Sequence, residues 1–338
     1  MRKELVWVAI IGISVGLIVA FGVWRVNATL KPKKVLPGST PQPQTTTSTF
    51  QIVLDKPEND DVISQNTTTV SGITKPLSWM TISGEQDDYI IQSDDQGTFS
   101  QDVNLISGVN QIKITAFDQT GNQSIGKVLV VYSSAFQTTS NASPTPDQNA
   151  TSDSAIRQNV AAKVAAILNK PKAYIGTVTD ITDSTIQIKT TDSQIKQIST
   201  ASNSIVVIDT TPTVKTVKLT DMGIGDFIVA MGYVNSNSVL LAQRVLITDP
   251  ITEPKIDSTY GKVTDTSKKI LTVSALVDSK NNNLTPDTKT DIESYSNGKL
   301  TKVKQTSINK NDMVIYITDN SGDSPVIRSV FVIQKAQN

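Results

Sequence analysis

From Leu5 to Trp24 the chain runs 20 residues without one charged side chain, and nothing like this recurs downstream. Wound as a helix at 1.5 Å per residue, the run is about 30 Å long, the thickness of a bilayer's hydrocarbon core. The segment therefore predicts a single transmembrane helix over 5–24, with residues 1–4 in the cytoplasm and the lipid bilayer as its partner. Trp7 and Trp24 sit near its two ends, where interfacial anchors belong. A cleavable signal would have a shorter apolar region and small residues at its exit. Here the exit reads Phe21-Gly22-Val23-Trp24-Arg25. Orientation pits two signals against each other. Arg25, Lys31, Lys33 and Lys34 outnumber Arg2 and Lys3, which on the positive-inside count puts the C-terminal side in the cytoplasm. Long domains translocate largely regardless of charge, and a Pro- and Thr-rich stretch follows the helix. The reading adopted is a plasma-membrane, single-pass anchor with an extracytoplasmic C-terminal body.

Composition narrows the chemistry. The 31 basic residues are matched by 31 acidic ones, and a neutral body lacks the clustered positive surface that nucleic acid requires. No Cys is present, which removes disulfides, thiol nucleophiles and thiolate metal sites. No His is present either. Its absence removes the commonest general base, the Ser-His-Asp arrangement and nearly every zinc site. The chain carries no P-loop or nucleophile-elbow motif. The expectation is a protein that is not an enzyme, with no catalytic residue and no cofactor.

Downstream of the apolar run the chain divides by composition. Residues 25–49 carry Pro32, Pro37, Pro41, Pro43 and the run Thr45-Thr46-Thr47-Ser48-Thr49, a linker that cannot bury a core. Residues 50–132 hold seven strand-like runs: 50–54, 68–73, 79–83, 89–92, 98–103, 111–117 and 127–132. Turn signals such as Lys75-Pro76 and Thr120-Gly121-Asn122 separate them. Gln111-Ile112-Lys113-Ile114-Thr115-Ala116 alternates as a strand with one buried face must. Seven short strands in about 83 residues predict a β-sandwich. Residues 133–154 form a second, disordered linker. Over 155–169, Ile156, Val160, Val164, Ile167 and Leu168 recur at helical spacing. Asp153 or Ser154 is placed to cap the start and Pro171 to stop the end. This predicts one short amphipathic helix that packs its narrow apolar face on the domain that follows.

Four motifs in the sandwich follow in order: Val70-Ser71-Gly72-Ile73-Thr74-Lys75-Pro76, Asp95-Gln96-Gly97-Thr98-Phe99-Ser100, Leu105-Ile106-Ser107-Gly108-Val109-Asn110-Gln111-Ile112 and Ala116-Phe117-Asp118-Gln119-Thr120-Gly121-Asn122. Together they resemble the bacterial immunoglobulin-like domains of surface proteins and of secreted glycosidases. The resemblance implies an extracytoplasmic spacer or adhesion module and brings no ligand residues with it.

Residues 173–338 contain one unit twice, offset by about 85 residues. Tyr174-Ile175-Gly176-Thr177-Val178-Thr179-Asp180 answers to Tyr260-Gly261-Lys262-Val263-Thr264-Asp265, and Thr185-Ile186-Gln187-Ile188 to Ile270-Leu271-Thr272-Val273. Gly225-Asp226-Phe227-Ile228-Val229 answers to Asn311-Asp312-Met313-Val314-Ile315, and Ala242-Gln243-Arg244-Val245-Leu246-Ile247 to Ile327-Arg328-Ser329-Val330-Phe331-Val332. The physical reading of each copy, over 173–250 and 258–335, is a small β-barrel or strongly bent sheet opening on a strand that Gly allows to bend tightly, and two tandem barrels are the expectation adopted. The pattern is similar to a family of exported bacterial domains of unknown function with OB-like barrels, which implies location and fold alone.

The chain is thus expected to be mainly β: an anchor helix, an immunoglobulin-like sandwich, one short helix and two barrels. Asp87, Asp88, Asp94 and Asp95 flank one predicted strand and are candidate calcium ligands, because calcium takes six to eight oxygens from loops. Asp278, Asn281, Asn282, Asp287 and Asp291 form a second such group. The bland alternative for both is solvated turns whose Asp side chains close Asx turns. The expected function is non-catalytic binding or spacing at the cell envelope, toward polysaccharide or a partner protein. Two other classes compete: a carboxylate-based glycan hydrolase, and an assembly factor acting through its transmembrane helix.

Overall fold

The computed structural model describes residues 50–136 and 170–336, apart from 203, 204, 268 and 297. The predicted transmembrane helix, both linkers and the predicted helix over 155–169 lie outside the described residues, except for positions 133–136 of the second linker. Among the described residues no helix is long and apolar enough to cross a membrane. They are mainly β-structure, with helix confined to three single 3-10 turns at Ser134–Phe136, Leu219–Asp221 and Gln305–Ser307.

The sandwich has eight strands: β1 (Val53–Lys56), β2 (Asp61–Ile63), β3 (Thr67–Ile73), β4 (Trp79–Ser83), β5 (Asp88–Gln92), β6 (Thr98–Asn104), β7 (Gly108–Phe117) and β8 (Gln123–Tyr132). One sheet runs β1-β3-β6, and the other begins β5-β4-β7-β8-β2. Val70, Met80, Ile82, Phe99, Val103, Ile112, Ile114 and Val130 fill the space between them. The strand missing from the sequence reading is β2, whose three residues are too few to display a period. It pairs with β8 in parallel, and its first residue, Asp61, pairs with Lys172 of the next module.

The first repeat contains β9 (Lys172–Ile181), β10 (Thr185–Lys189), β11 (Ile195–Ser199), β12 (Val206–Asp209), β13 (Lys215–Val217), β14 (Phe227–Val234) and β15 (Val239–Thr248). The second contains β16 (Ile256–Thr266), β17 (Leu271–Ala275), β18 (Asn281–Leu284), β19 (Asp291–Ser296), β20 (Lys299–Lys302), β21 (Met313–Asp319) and β22 (Val326–Gln334). All four pairs of repeated motifs fall on equivalent strands. Before β14 and β21 the turn is built alike. Asp226 accepts a bond from the Gly223 amide at 2.8 Å, and Asp312 from the Asn309 amide at 2.8 Å. Gly225 has φ +100°, and Asn311, in its place, has φ +72°. Asn is among the few side chains that tolerate this left-handed backbone, which explains how the repeat survives loss of the glycine.

The repeats differ in closure. In the first, β10 joins β9 to β11, β11 pairs with β15, and β14 joins β15 back to β9, so the hydrogen-bonded circuit returns to its start. The second is a seven-stranded sheet in the order β18-β17-β16-β21-β22-β19-β20. Its strand pairings do not return to their start, so the second repeat is a sheet open at β18 and β20. Register supplies the reason: Tyr233 faces Leu241 and Asp319 faces Val326, so Pro325 stands where Leu240 pairs with Ile198 in the first repeat. Proline has no N–H to give to a ladder and is excluded from inner strands.

Two buried joints weld these modules together. At the first, Val62, Val131 and Phe136 pack on Ala173, Ile175, Phe227, Val229 and Met231. The sheet also continues across it, with the Ala173 amide donating to the Asp60 carbonyl at 2.7 Å and the Val62 amide to the Pro171 carbonyl at 3.1 Å. At the second, Ile90 and Phe117 pack on Ile256, Ile315, Ile317, Phe331 and Ile333. Trp79 meets Tyr295 edge-on at 4.9 Å, and the buried hydroxyls of Thr81 and Ser258 lie 2.8 Å apart. The end of β7 therefore buries Thr115 and Phe117 as well as Ile114 and Ala116. Alternation fails there because a second protein layer covers the face the pattern assigns to water.

Asn311→Gly should leave stability within about 0.5 kcal/mol, whereas Asn311→Val should lower it by about 1–2 kcal/mol, the cost of a β-branched residue in left-handed backbone. Equilibrium denaturant unfolding of both variants checks this, and an equal loss in the two would contradict the turn argument.

Candidate functional site

The four Asp residues proposed for calcium do not converge. Asp87 and Asp88 lie at one end of β5 and Asp94 and Asp95 beyond the other, so an extended five-residue strand of about 17 Å separates the pairs. Each of three carboxylates has its own task. Asp87 accepts from the Asn104 side-chain amide at 2.9 Å. Asp94 closes its hairpin by accepting the amides of Gln96 at 2.9 Å and Thr98 at 2.7 Å. Asp88 is buried and meets Arg328 at 3.1 Å and the Ser329 hydroxyl at 2.8 Å. Arg328 also donates to the Gly84 carbonyl at 3.0 Å. Asp95 is exposed.

In the second group, Asp278 accepts the Lys280 amide, Asp287 those of Lys289 and Thr290, and Asp291 pairs with Lys302. Among the described residues no group of three or more Asp, Glu, His or Cys is placed to hold a metal ion. The four carboxylates therefore do not form one cluster: Asp88 is part of the second joint and Asp94 a turn former.

A cleft of about 690 Å³ lies instead at the first joint, between β7 and β8 of the sandwich and the start of the first repeat. At its floor Asp60 holds a left-handed φ of +65°. Both modules fix its backbone: its amide donates to Leu129 at 2.8 Å and its carbonyl accepts from Ala173. The neighbouring Asn59 side chain accepts from the Leu129 amide at 2.9 Å. Burial pushes the Asp60 carboxyl above the usual carboxylate range, with Lys172 and Lys196 opposing. Beside it Tyr174 donates to the Ser238 carbonyl at 2.9 Å, and the Lys196 ammonium lies 5.5 Å from its ring centroid. The far wall holds Gln111, which donates to the Thr252 carbonyl at 2.8 Å, and the ion pair Lys127–Glu253. The walls thus mix donors, acceptors and an aromatic ring with no dominant charge.

Next to the cleft, buried Asp61 is held by Lys170 at 2.6 Å and Lys172 at 2.8 Å. Burial pulls the Lys172 ammonium down, but its hydrogen bonds to Asp61 and Glu58 outweigh that and leave it above the ordinary lysine value.

Asp60 and Lys196 do not stand out in the sequence, and Tyr174 does so only as the first residue of the repeated motif, because the cleft forms only when segments more than a hundred residues apart meet. Arg328 carries more signal. The described residues hold only two arginines, Arg244 and Arg328, each inside the last strand of a repeat among apolar neighbours. A fixed, strongly basic fork in such a place calls for a partner.

Residues 51–133 match the family model described as "Glucodextranase, domain B", in agreement with the immunoglobulin-like reading of the sandwich. No curated protein matches the chain. Among solved structures, a tetra-tandem repeat from the extending region of a large adhesion protein is 9% identical. The alignment covers 83% of this chain and 72% of that one, with a TM-score of 0.21. A Ca2+-stabilised adhesin that helps an Antarctic bacterium reach out and bind ice is 14% identical, with coverages of 86% and 75% and a TM-score of 0.18. The central fibronectin-III array of RIM-binding protein is 11% identical, with coverages of 84% and 96% and a TM-score of 0.16. Scores of this size do not establish a common fold.

Arg328→Ala should destabilise the body by about 3 kcal/mol at pH 7, since it strands a buried carboxylate. Burial already raises the Asp88 pKa against the pull of Arg328, and losing the guanidinium raises it further. A raised carboxyl favours the folded state below its unfolded value, and that contribution is lost as pH rises through the folded value. The defect should therefore shrink as pH falls toward 4, and adding Asp88→Asn should relieve part of it. Denaturant unfolding across pH checks this, and a pH-independent loss would contradict it.

Proposed function

We propose that this protein is a non-catalytic, membrane-tethered envelope protein that holds a stiff three-module body outside the cell and binds neutral polysaccharide. The observation that carries this reading is the pair of buried joints. Modules joined only by linkers swing, whereas the sandwich here shares a continuous sheet with one repeat and an apolar core with the other. A body built this way keeps its far end at a set distance, as a spacer must. We read the closed circuit of the first repeat as a small barrel and the second as the same barrel opened at Pro325. The cleft at the first joint supports the binding role through its neutral mix of donors, acceptors and Tyr174. The tether rests on the apolar run Leu5–Trp24 and the Pro- and Thr-rich stretch after it, which spaces the body from the bilayer.

The test is protease access in intact and lysed cells, using a tag after Asn338. Intact cells, with any outer membrane made permeable, should lose the tag. Loss only on lysis would put the body in the cytoplasm and defeat the reading. Exchanging Leu5–Trp24 for an unrelated anchor should leave envelope association and polymer binding unchanged. If that exchange abolished function, the helix would be the working part and the assembly-factor class would replace this one. In a sedimentation assay with insoluble envelope polysaccharide, Asp60→Asn with Lys196→Ala should lower retention at least about tenfold, with denaturant unfolding of the same variant showing that the body stays folded.

A further inference from the structure

Both repeats dock on the outer face of the sandwich sheet through the same face of their own. In the first, Phe227, Val229 and Met231 carry that face, with Leu246 beside them. In the second the corresponding residues are Met313, Ile315, Ile317 and Phe331. Arg244 belongs to this face, because it stands opposite Met231 in the ladder and two residues before Leu246. Its counterpart is Ser329, which stands opposite Ile317. The two positions meet different surroundings. Ser329 gives its hydroxyl to the sandwich carboxylate Asp88 at 2.8 Å, and the neighbouring Arg328 meets the same oxygen. Arg244 lines a hollow of about 500 Å³ at the first joint, with Ile208, Leu246 and Ile251 around it.

Among the described residues Arg244 has neither an ion pair nor a hydrogen bond. Asp209 stands in sequence between two lining residues, Ile208 and Thr210, but it is engaged elsewhere. Lys215 holds it at 3.1 Å, and the Thr211 amide and hydroxyl both donate to it. A guanidinium stays charged at physiological pH and presents a planar fork that fits a carboxylate with two parallel bonds. Set among apolar side chains, it attracts an anion more strongly than it would in open water. Ser107, Ser134 and Thr248 line the same hollow and bring hydroxyls that both give and accept hydrogen bonds, as a sugar ring requires.

We propose that this hollow binds the carboxylate of an acidic saccharide, with Arg244 as its anchor. At the second joint the sandwich supplies the carboxylate from within; at the first, the ligand brings it. The hollow shares only Ile251 with the cleft assigned to neutral polymer, so the two sites are tested apart. Isothermal titration of the full chain in detergent with oligogalacturonate should show saturable binding. The methyl-esterified oligomer, equal in length but uncharged, should bind at least about tenfold more weakly. Arg244→Gln should lower affinity for the acid form by a similar factor, with denaturant unfolding showing that the body stays folded. Val214 also lines the hollow with 76% of its surface exposed, so its replacement spares the core. Val214→Asp should weaken binding about threefold and Val214→Lys strengthen it as much. Asp60→Asn with Lys196→Ala should leave it unchanged. Absence of saturable binding, equal affinity for acid and ester, or indifference to Arg244→Gln would each overturn the proposal. So would loss of binding in the Asp60 and Lys196 variant, which would place the ligand in the other cleft. Displacement of the oligomer by inorganic phosphate more readily than by galacturonate would mean a phosphate site and overturn it too.

Discussion

The architecture depends on one sheet having two buried faces. Strands β4, β7 and β8 give one side to the sandwich core, through Met80, Ile112, Ile114 and Val130. At Phe117 and neighbouring Ile90 they also meet the second repeat. A sheet with one wet side would leave the modules free to swing. Covering the other side turns three small cores, each marginal at fewer than about a hundred residues, into one cooperative body. Polar groups caught in this joint find partners there: Asp88 Oδ2 with Arg328 and Ser329, and Thr81 with Ser258. Unpaired, each would cost more than the apolar contacts around it return.

The joint is also where packing leaves least room. Gly121 has φ +87°, and a Cβ there would lie 2.6 Å from the Leu276 side chain, so the turn 118–122 sits directly on the second repeat. Asp118 stiffens that turn. Burial works to raise its pKa, but bonds from the Thr120 and Asn122 side chains and amides bring it down to about 2. A turn locked by one carboxylate and pressed on its neighbour through a missing side chain sets the angle between the modules.

Much of this is legible in the sequence, and the boundary has a physical cause. Local periodicity specifies β7 as far as Ile114, because an alternating strand needs only one core to explain it. The same pattern misassigns Thr115 and Phe117, whose burial depends on residues about 140–215 positions downstream. The repeat is visible because equal folds demand the same residues at the same bends, down to Asn311 doing the work of Gly225. Its failure to close turns on Pro325, one residue in a stretch that otherwise reads as loop. The Asp pairs around β5 misled because closeness in sequence along an extended strand is distance in space. The cleft was invisible for the converse reason, Asp60 and Tyr174 being neighbours only after folding.

Burial by a distant segment also sets an order of events. Phe117 is complete in the nascent chain well before Phe331 and Ile333, the residues that cover it. At synthesis rates of about 5–20 residues per second, the delay is on the order of 10–40 s. During that interval the outer face of the sandwich carries Ile90 and Phe117 bare to water. The young module is therefore at its most adhesive before the protein is finished, and folding of its last repeat is the step that makes it safe among its own kind.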